Sequence, residues 1–378
     1  MFLRSACLFL LSATSLLAAE GSKLTWKALP DLPGKLGVAG PFAGVHNGAL
    51  IVAGGANFPE GVPWRPTAEG YNSPKVYYDT IDVITPNGDG YKVVTSETKL
   101  PQVIGYGVSI PTKDGVICIG GEWKKNFRDE ATKKYDSTMH LSAKVFMLSH
   151  DNDVISVDSD FPDLPKGTTA ASGALVGGKI YITGGGYLDD ETEKIITTKN
   201  FWVLDLAKRG SDDFNWEEKT PWDGPARTHL IAASQSDGAA DCLYIFSGRM
   251  KDESGQWHML ADAHKFNPKT DEWIKLPDIQ PKGDTQPRCV MAGTAAAVGA
   301  NSMLIFGGAN GQRFITLESL SAQIAAATEA GNTQAAATLE AEKQKIQDEH
   351  VGFSRDILIF NTITGKWREF AKFKEDSR

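Results

Sequence analysis

Cysteine and histidine are scarce in this 378-residue chain, with four Cys and seven His. The Cys residues stand at 7, 118, 242 and 289, with no CxxC pair and no disulfide-dense spacing. Neither a structural metal site nor a disulfide framework is therefore expected. Cys118 and Cys242 fall in apolar strand-like runs, where a buried, inert thiol is the expected state. An excess of positive charge is also missing: Lys and Arg total 39 against 47 Asp and Glu, for a formal net charge of −8. The basic footprint of a nucleic-acid binder is absent, and no nucleic-acid partner is expected. Long apolar runs are absent beyond the N-terminus, which excludes a multi-span helical membrane protein. Hydrophobic residues at 41% and charged residues at 23% are ordinary for a globular chain and argue against disorder.

The one apolar run, MFLRSACLFLLSATSLLAA at 1–19, has the parts of a secretory signal. Arg4 supplies the positive start, Ala6 to Leu17 the apolar stretch, and Ala18-Ala19 the small residues suited to cleavage. The competing reading is a retained anchor, but the run is short and Ser-containing for a spanning helix. Export to the periplasm or beyond is expected, with no stable membrane insertion after cleavage. Residues 20–378 are left as one domain.

What is abundant is glycine, 38 residues, in a recurring pattern. ALIVAGG ends at Gly55, GVICIGG at Gly121, KIYITGG at Gly185 and SMLIFGG at Gly308, with a degenerate CLYIFSG ending at Gly248. A small-residue strand precedes each and another β-type run follows: DTIDVITP, AKVFMLS, NFWVLDL, DAHKFNP and DILIFNT. Several units close on a Trp-bearing strand, and Trp216, Trp273 and Trp367 are expected in the core. Four strands per unit at a period of roughly 60 residues predict an all-β fold, a β-propeller of four-stranded blades. Small residues suit the crowded axis, the Gly pair a close backbone approach, and the Trp the wedge between blades. Five full blades begin near Val38, Ile104, Thr168, Arg227 and Cys289. Residues 24–34, LTWKALPDLPG, resemble an outer fourth strand. They predict one strand of a sixth blade, as part of an incomplete ring or as a spare strand beside five blades. Residues 315–350 are rich in Ala, Glu, Gln and Leu, broken by Gly331-Asn332, and predict a helical hairpin between the second and third strands of the fifth blade.

Alternating strand direction brings the residue after each Gly-Gly and the residue before each inner strand to one mouth of the ring. The candidates there are Asn57, Phe58, Glu122, Tyr187, Arg249 and Asn310, with Arg227, His229 and Arg288 from the pre-strand positions. An acid, several Arg, amides and aromatic rings suit a sugar acid: rings and amides for the sugar, Arg for its carboxylate. The bland roles are equally concrete. Asn57 and Asn310 can cap turns, and the pre-strand Arg residues can serve structure.

Two of these runs carry a family resemblance. GVAGPFAGVHNGALIVAGGANFP (Gly37 to Pro59) and GYGVSIPTKDGVICIGGE (Gly105 to Glu122) resemble blades of the bacterial N-acetylneuraminate epimerase (sialic acid mutarotase) family. The helical stretch after FGGANGQRF resembles a family insertion. The blade order here is similar to a cyclically permuted branch of that family. The resemblance, also to the kelch repeat, implies an exported kelch-type propeller that interconverts the α and β anomers of sialic acid by acid–base ring opening, with no cofactor or metal. It implies a catalytic Glu/Arg pair at Glu122 and Arg128, since Arg follows Glu by six residues. Asn57, Phe58, Tyr187, Arg227, His229, Arg249 and Asn310 are the expected substrate contacts. The alternative is a non-catalytic propeller that binds a glycan or a protein. A copper oxidase on such a scaffold would need a Tyr/His/Cys ligand set that so few His and strand-embedded Cys do not offer.

Overall fold

The computed structural model describes residues 24–34, 36–350 and 352–373; the signal read at 1–19 lies outside the described residues. Blade 1 comprises β1 (Phe42–His46), β2 (Ala49–Ala53), the short pair β3 (Ala56–Asn57) and β4 (Val76–Tyr77), then β5 (Ile81–Asn87) and β6 (Gly90–Thr95). Blade 2 comprises β7 (Val108–Pro111), β8 (Val116–Ile119), β9 (Glu122–Asp129), β10 (Lys134–Leu141), β11 (Val145–Asp151) and β12 (Val154–Asp158). Blade 3 comprises β13 (Ser172–Val176), β14 (Lys179–Thr183), β15 (Gly186–Leu188), β16 (Ile195–Thr197), β17 (Phe201–Asp205) and β18 (Glu217–Glu218). Blade 4 uses only β19 (Ile231–Ser236), β20 (Asp241–Lys251), β21 (Trp257–Asn267) and β22 (Glu272–Leu276). Blade 5 comprises β23 (Thr294–Val298), β24 (Ser302–Phe306), the helices α1 (Gln312–Glu329) and α2 (Thr333–Asp348), then β25 (Asp356–Asn361) and β26 (Lys366–Lys372).

Each blade is a four-stranded antiparallel meander, as the repeat predicts and consistent with a kelch-type propeller. All five also send an excursion out between their second and third strands. It is a β-hairpin in blades 1 to 3, the prolonged ends of β20 and β21 in blade 4, and the helical hairpin in blade 5.

The Gly pair has a visible cause. Gly120 and Gly121 hold φ of +64° and +108°, and a Cβ on them would stand 2.9 Å from the Thr168 carbonyl oxygen and 2.7 Å from that of Gly105. Side chains fit neither the backbone angle nor the space. A second repeat lies at the mouth. Gly40, Tyr106, Ala170, His229 and Ala292, one per blade, all hold φ between +52° and +63°. They form a belt: Tyr106 N–H donates to Gly40 O at 2.7 Å, Ala170 N–H to Tyr106 O at 3.1 Å, His229 N–H to Ala170 O at 2.9 Å, and Ala292 N–H to His229 O at 2.9 Å.

Apolar clusters fill the wedges between successive blades. Phe42, Ile51 and Phe146 join blades 1 and 2; Ile119, Ile182 and Trp202 join 2 and 3; Phe201, Trp222 and Phe266 join 3 and 4; Tyr244, Phe246 and Trp367 join 4 and 5. Trp367 is core, whereas Trp216 and Trp273 are half-buried against it. Cys118 and Cys242 are buried free thiols, and burial pushes Cys242 up to about 11.

No such cluster joins blade 5 to blade 1 among the described residues. That seam is bridged instead by Trp64 and Arg65, which both donate to Asp348 at the end of α2. The outer strand expected at residues 24–34 is not formed. A lone strand has no sheet to complete its backbone hydrogen bonds, and Trp26 packs against Phe373 at 5.2 Å between ring centres.

Candidate functional site

A cavity of about 830 Å³ opens among the excursions of blades 2, 3 and 4, with Lys75 entering from blade 1. It gathers Glu122, His229 and Arg249 from the sequence expectations and adds Lys75, Tyr106, Thr169 and Trp257.

Glu122 begins β9 directly after the Gly pair, and its backbone exchanges hydrogen bonds with Gly105 in front of the inner strand. The same bridge recurs as Thr169 with Gly186, Thr228 with Arg249 and Met291 with Ala309. This pairing brings pre-strand and post-Gly-Gly positions together at the mouth. The Glu122 carboxylate accepts from the Tyr77 hydroxyl at 2.6 Å and from Thr169 Oγ1 at 2.7 Å. Burial, then the charge of Glu122, raises the pKa of Tyr77 far above its ordinary value, so the phenol stays a donor.

The lining mixes charges: Lys75, Lys194, Arg249 and Lys251 stand there with Asp252 and Glu253. Lys75 Nζ donates to the Tyr106 hydroxyl at 2.9 Å and lies 4.3 Å over that ring. Arg249 forms no salt bridge among the described residues. Its Nε is buried without a partner, and burial lowers the guanidinium pKa from its ordinary value without discharging it. His229 Nδ1 is likewise buried and unpaired. Burial, reinforced by the positive charges of Arg249 and Lys75, lowers the His229 pKa to about 3 and leaves a neutral imidazole.

A stability test follows for His229. Its unfolded-state pKa near 6.5 exceeds the folded value, so the unfolded chain binds the extra proton and stability falls as pH drops from about 6.5 toward 3. At pH 5 the loss amounts to about 2 kcal/mol relative to pH 7. In His229→Asn, which also tolerates left-handed backbone, the extra acid sensitivity should vanish. Urea unfolding of both proteins at pH 7 and pH 5 reads the difference; equal acid losses would show that His229 is not held neutral.

Several expected site residues lie elsewhere. Arg128 sits six residues along β9 from Glu122, roughly 20 Å away for an extended strand. There it pairs with Glu69 at 2.6 Å and lies over Tyr71, so the expected pair is not a pair in space. Arg227 does not line the cavity: it is wholly buried and bonds Asp262 through both terminal nitrogens, at 2.7 and 2.6 Å. Arg288 is engaged by Asp284 and Asp356. Asn57 accepts from the Tyr78 hydroxyl and donates to Gly37 O at the seam side of blade 1. Phe58, just past β3, does not line the cavity, nor does Tyr187, whose ring carries Lys166 at 3.4 Å. Asn310 accepts from Gln312 N–H at the start of α1 and lines a separate cavity beside the helices.

Fold and site together define a five-blade β-propeller with a carboxylate and unpaired cations at one mouth. The sequence model of N-acetylneuraminate epimerase matches residues 161–377. The chain belongs to the N-acetylneuraminate epimerase family. Among relatives, an N-acetylneuraminate epimerase of Haemophilus influenzae is 28% identical over 208 residues, covering 55% of this chain and 48% of the relative. One of Pasteurella multocida is 29% identical over 150 residues, 40% of this chain and 33% of the relative. The match thus spans about half the length of the Haemophilus protein or less in these relatives. The solved structure titled "Structure of YjhT" superposes with a TM-score of 0.55 at 15% identity, over 77% of this chain and 82% of that one, a likeness of fold. The family match contains His229, Arg249 and Trp257, while Glu122 precedes it.

Proposed function

We propose that this protein is a sugar-acid mutarotase that interconverts the α and β anomers of N-acetylneuraminate. The observation that carries the reading is the cavity itself. It holds a carboxylate fixed by two neutral donors together with a guanidinium and an ammonium that form no salt bridge among the described residues. Family membership supplies the substrate class. Arg249 takes the substrate carboxylate through its free N–H edge. Glu122 removes the proton of the anomeric hydroxyl, and a second group in the cavity, Lys75, protonates the ring oxygen as the carbon–oxygen bond breaks. The open-chain keto form rotates about the bond to its carbonyl carbon and recloses by the reverse transfers. Neither step consumes a cofactor. Residues 1–19, read as a signal, would deliver the protein to the periplasm or outside.

Proton NMR of freshly dissolved α-N-acetylneuraminate tests the proposal. The mature protein should hasten the approach to the β anomer at catalytic concentration. Binding of the sugar acid without acceleration would replace the enzyme by a binding propeller.

A further inference from the structure

The helical insertion of blade 5 packs against two residues that line the cavity, Arg249 and Trp257. The Arg249 guanidinium carbon lies 4.6 Å from the Trp257 ring centre and 4.3 Å from that of Phe314 on α1. The two rings meet edge to face at 5.1 Å. Trp257 Nε1 donates to Glu318 Oε2 at 3.2 Å, one helical turn beyond Phe314. The start of α1 is pressed onto the same strand: a Cβ on Gly311 would stand 2.1 Å from Met259 Sδ.

We infer that α1 backs the binding site, with Phe314 and Glu318 as positioning residues that fix Arg249 and Trp257 for a substrate carboxylate; this rests on the proposed function. A guanidinium is weakly hydrated on its faces, so aromatic rings can pack against it at low cost; with centres only 5.1 Å apart, the two rings cup it from one side. Its in-plane N–H groups still need acceptors, and a carboxylate matches them two at a time. The ring corner therefore fixes the plane in which a carboxylate is taken. Glu318 holds the indole by its oxygen and also places a negative charge in the field of Arg249. These two roles oppose each other: the bond orders the site, and the charge weakens its pull on an anion.

The test is anomer-exchange kinetics with a double-mutant cycle. Phe314→Leu should raise KM about tenfold with kcat within twofold, and Phe314→Trp should restore it. In an Arg249→Gln background, Phe314→Leu should add less than twofold, because the guanidinium it positions is gone. Glu318→Gln, which can still accept from Trp257, should lower KM, whereas Glu318→Ala should raise it. Thermal melts verify that each variant is folded. An unchanged KM in Phe314→Leu, or the same tenfold effect with and without Arg249, overturns the inference while leaving the mutarotase standing. A wild-type protein that neither binds nor converts N-acetylneuraminate overturns both.

Discussion

Glu122→Gln should slow anomer exchange by at least about 100-fold, within the 10²–10⁴ range that a positioned acid–base group contributes, while leaving KM within about threefold. Gln is nearly isosteric with Glu. The Tyr77 and Thr169 hydroxyls that now donate to the carboxylate can turn to accept from an amide, so the local structure survives. What is lost is the ability to take a proton from the anomeric hydroxyl. The substrate carboxylate is assigned to Arg249, so affinity should hold. Rates are read by proton NMR from the pure α anomer, beside a thermal melt of the variant. A rate near wild type would remove Glu122 from the chemistry and turn attention to Lys75 and the other ionisable groups of the lining. A lost rate with a large rise in KM would make Glu122 a binding group.

Asp262→Ala should be the most damaging change outside the cavity, costing about 3–5 kcal/mol of stability. Arg227 has no exposed surface. Its charge is met by both oxygens of Asp262, and Arg227 Nη1 also donates to Ser247 O at 3.0 Å. Burial pushes the Asp262 carboxyl up, but hydrogen bonds from His264 and Arg227 outweigh it and hold the group well below its ordinary range. Removing the carboxylate strands a cation where water cannot reach it. The harm belongs to the unpaired charge, so replacing both partners with apolar residues, Arg227→Met with Asp262→Leu, should recover part of the loss. Guanidinium unfolding compares the three proteins. A double variant no more stable than Asp262→Ala would assign the loss to packing around Trp222 rather than to charge.

The repeat was legible because its physics is local. Paired glycines, small inner strands and a Trp each do one job at one place, and the job recurs in every blade. Glu122, His229 and Arg249 were found because they stand directly at the ends of those strands, where the blade fixes position. Lys75, Tyr77, Trp257 and Phe314 were missed because they stand on the excursions, whose paths no repeat dictates. Arg227 shows the limit of position without orientation: it flanks the same strand end as His229 but turns inward. The alternating Asp262 and His264 on β21, both facing one side of that strand, were the available signal for its partner. The spacing of Glu122 and Arg128 was real in sequence, but an extended strand carries six residues far apart. The Asn310 amide answers to its turn, the role its residue type also predicts, whereas that of Asn57 ties β3 to Gly37 and Tyr78.

The belt of left-handed residues gives the mouth a property of its own. Gly40, Tyr106, Ala170, His229 and Ala292 share one backbone pose and hold one another by main-chain hydrogen bonds alone. Three of them, Tyr106, Ala170 and His229, line the cavity. Shape and polarity at the entrance are thus exchangeable one socket at a time, with the blade cores untouched. The admissible alphabet is narrow: valine, isoleucine and threonine are poorly tolerated at positive φ, whereas glycine is at ease and asparagine, aspartate and histidine are comparatively frequent. A propeller built this way can change which ligand it admits through a few letters at fixed addresses, without relearning how to fold.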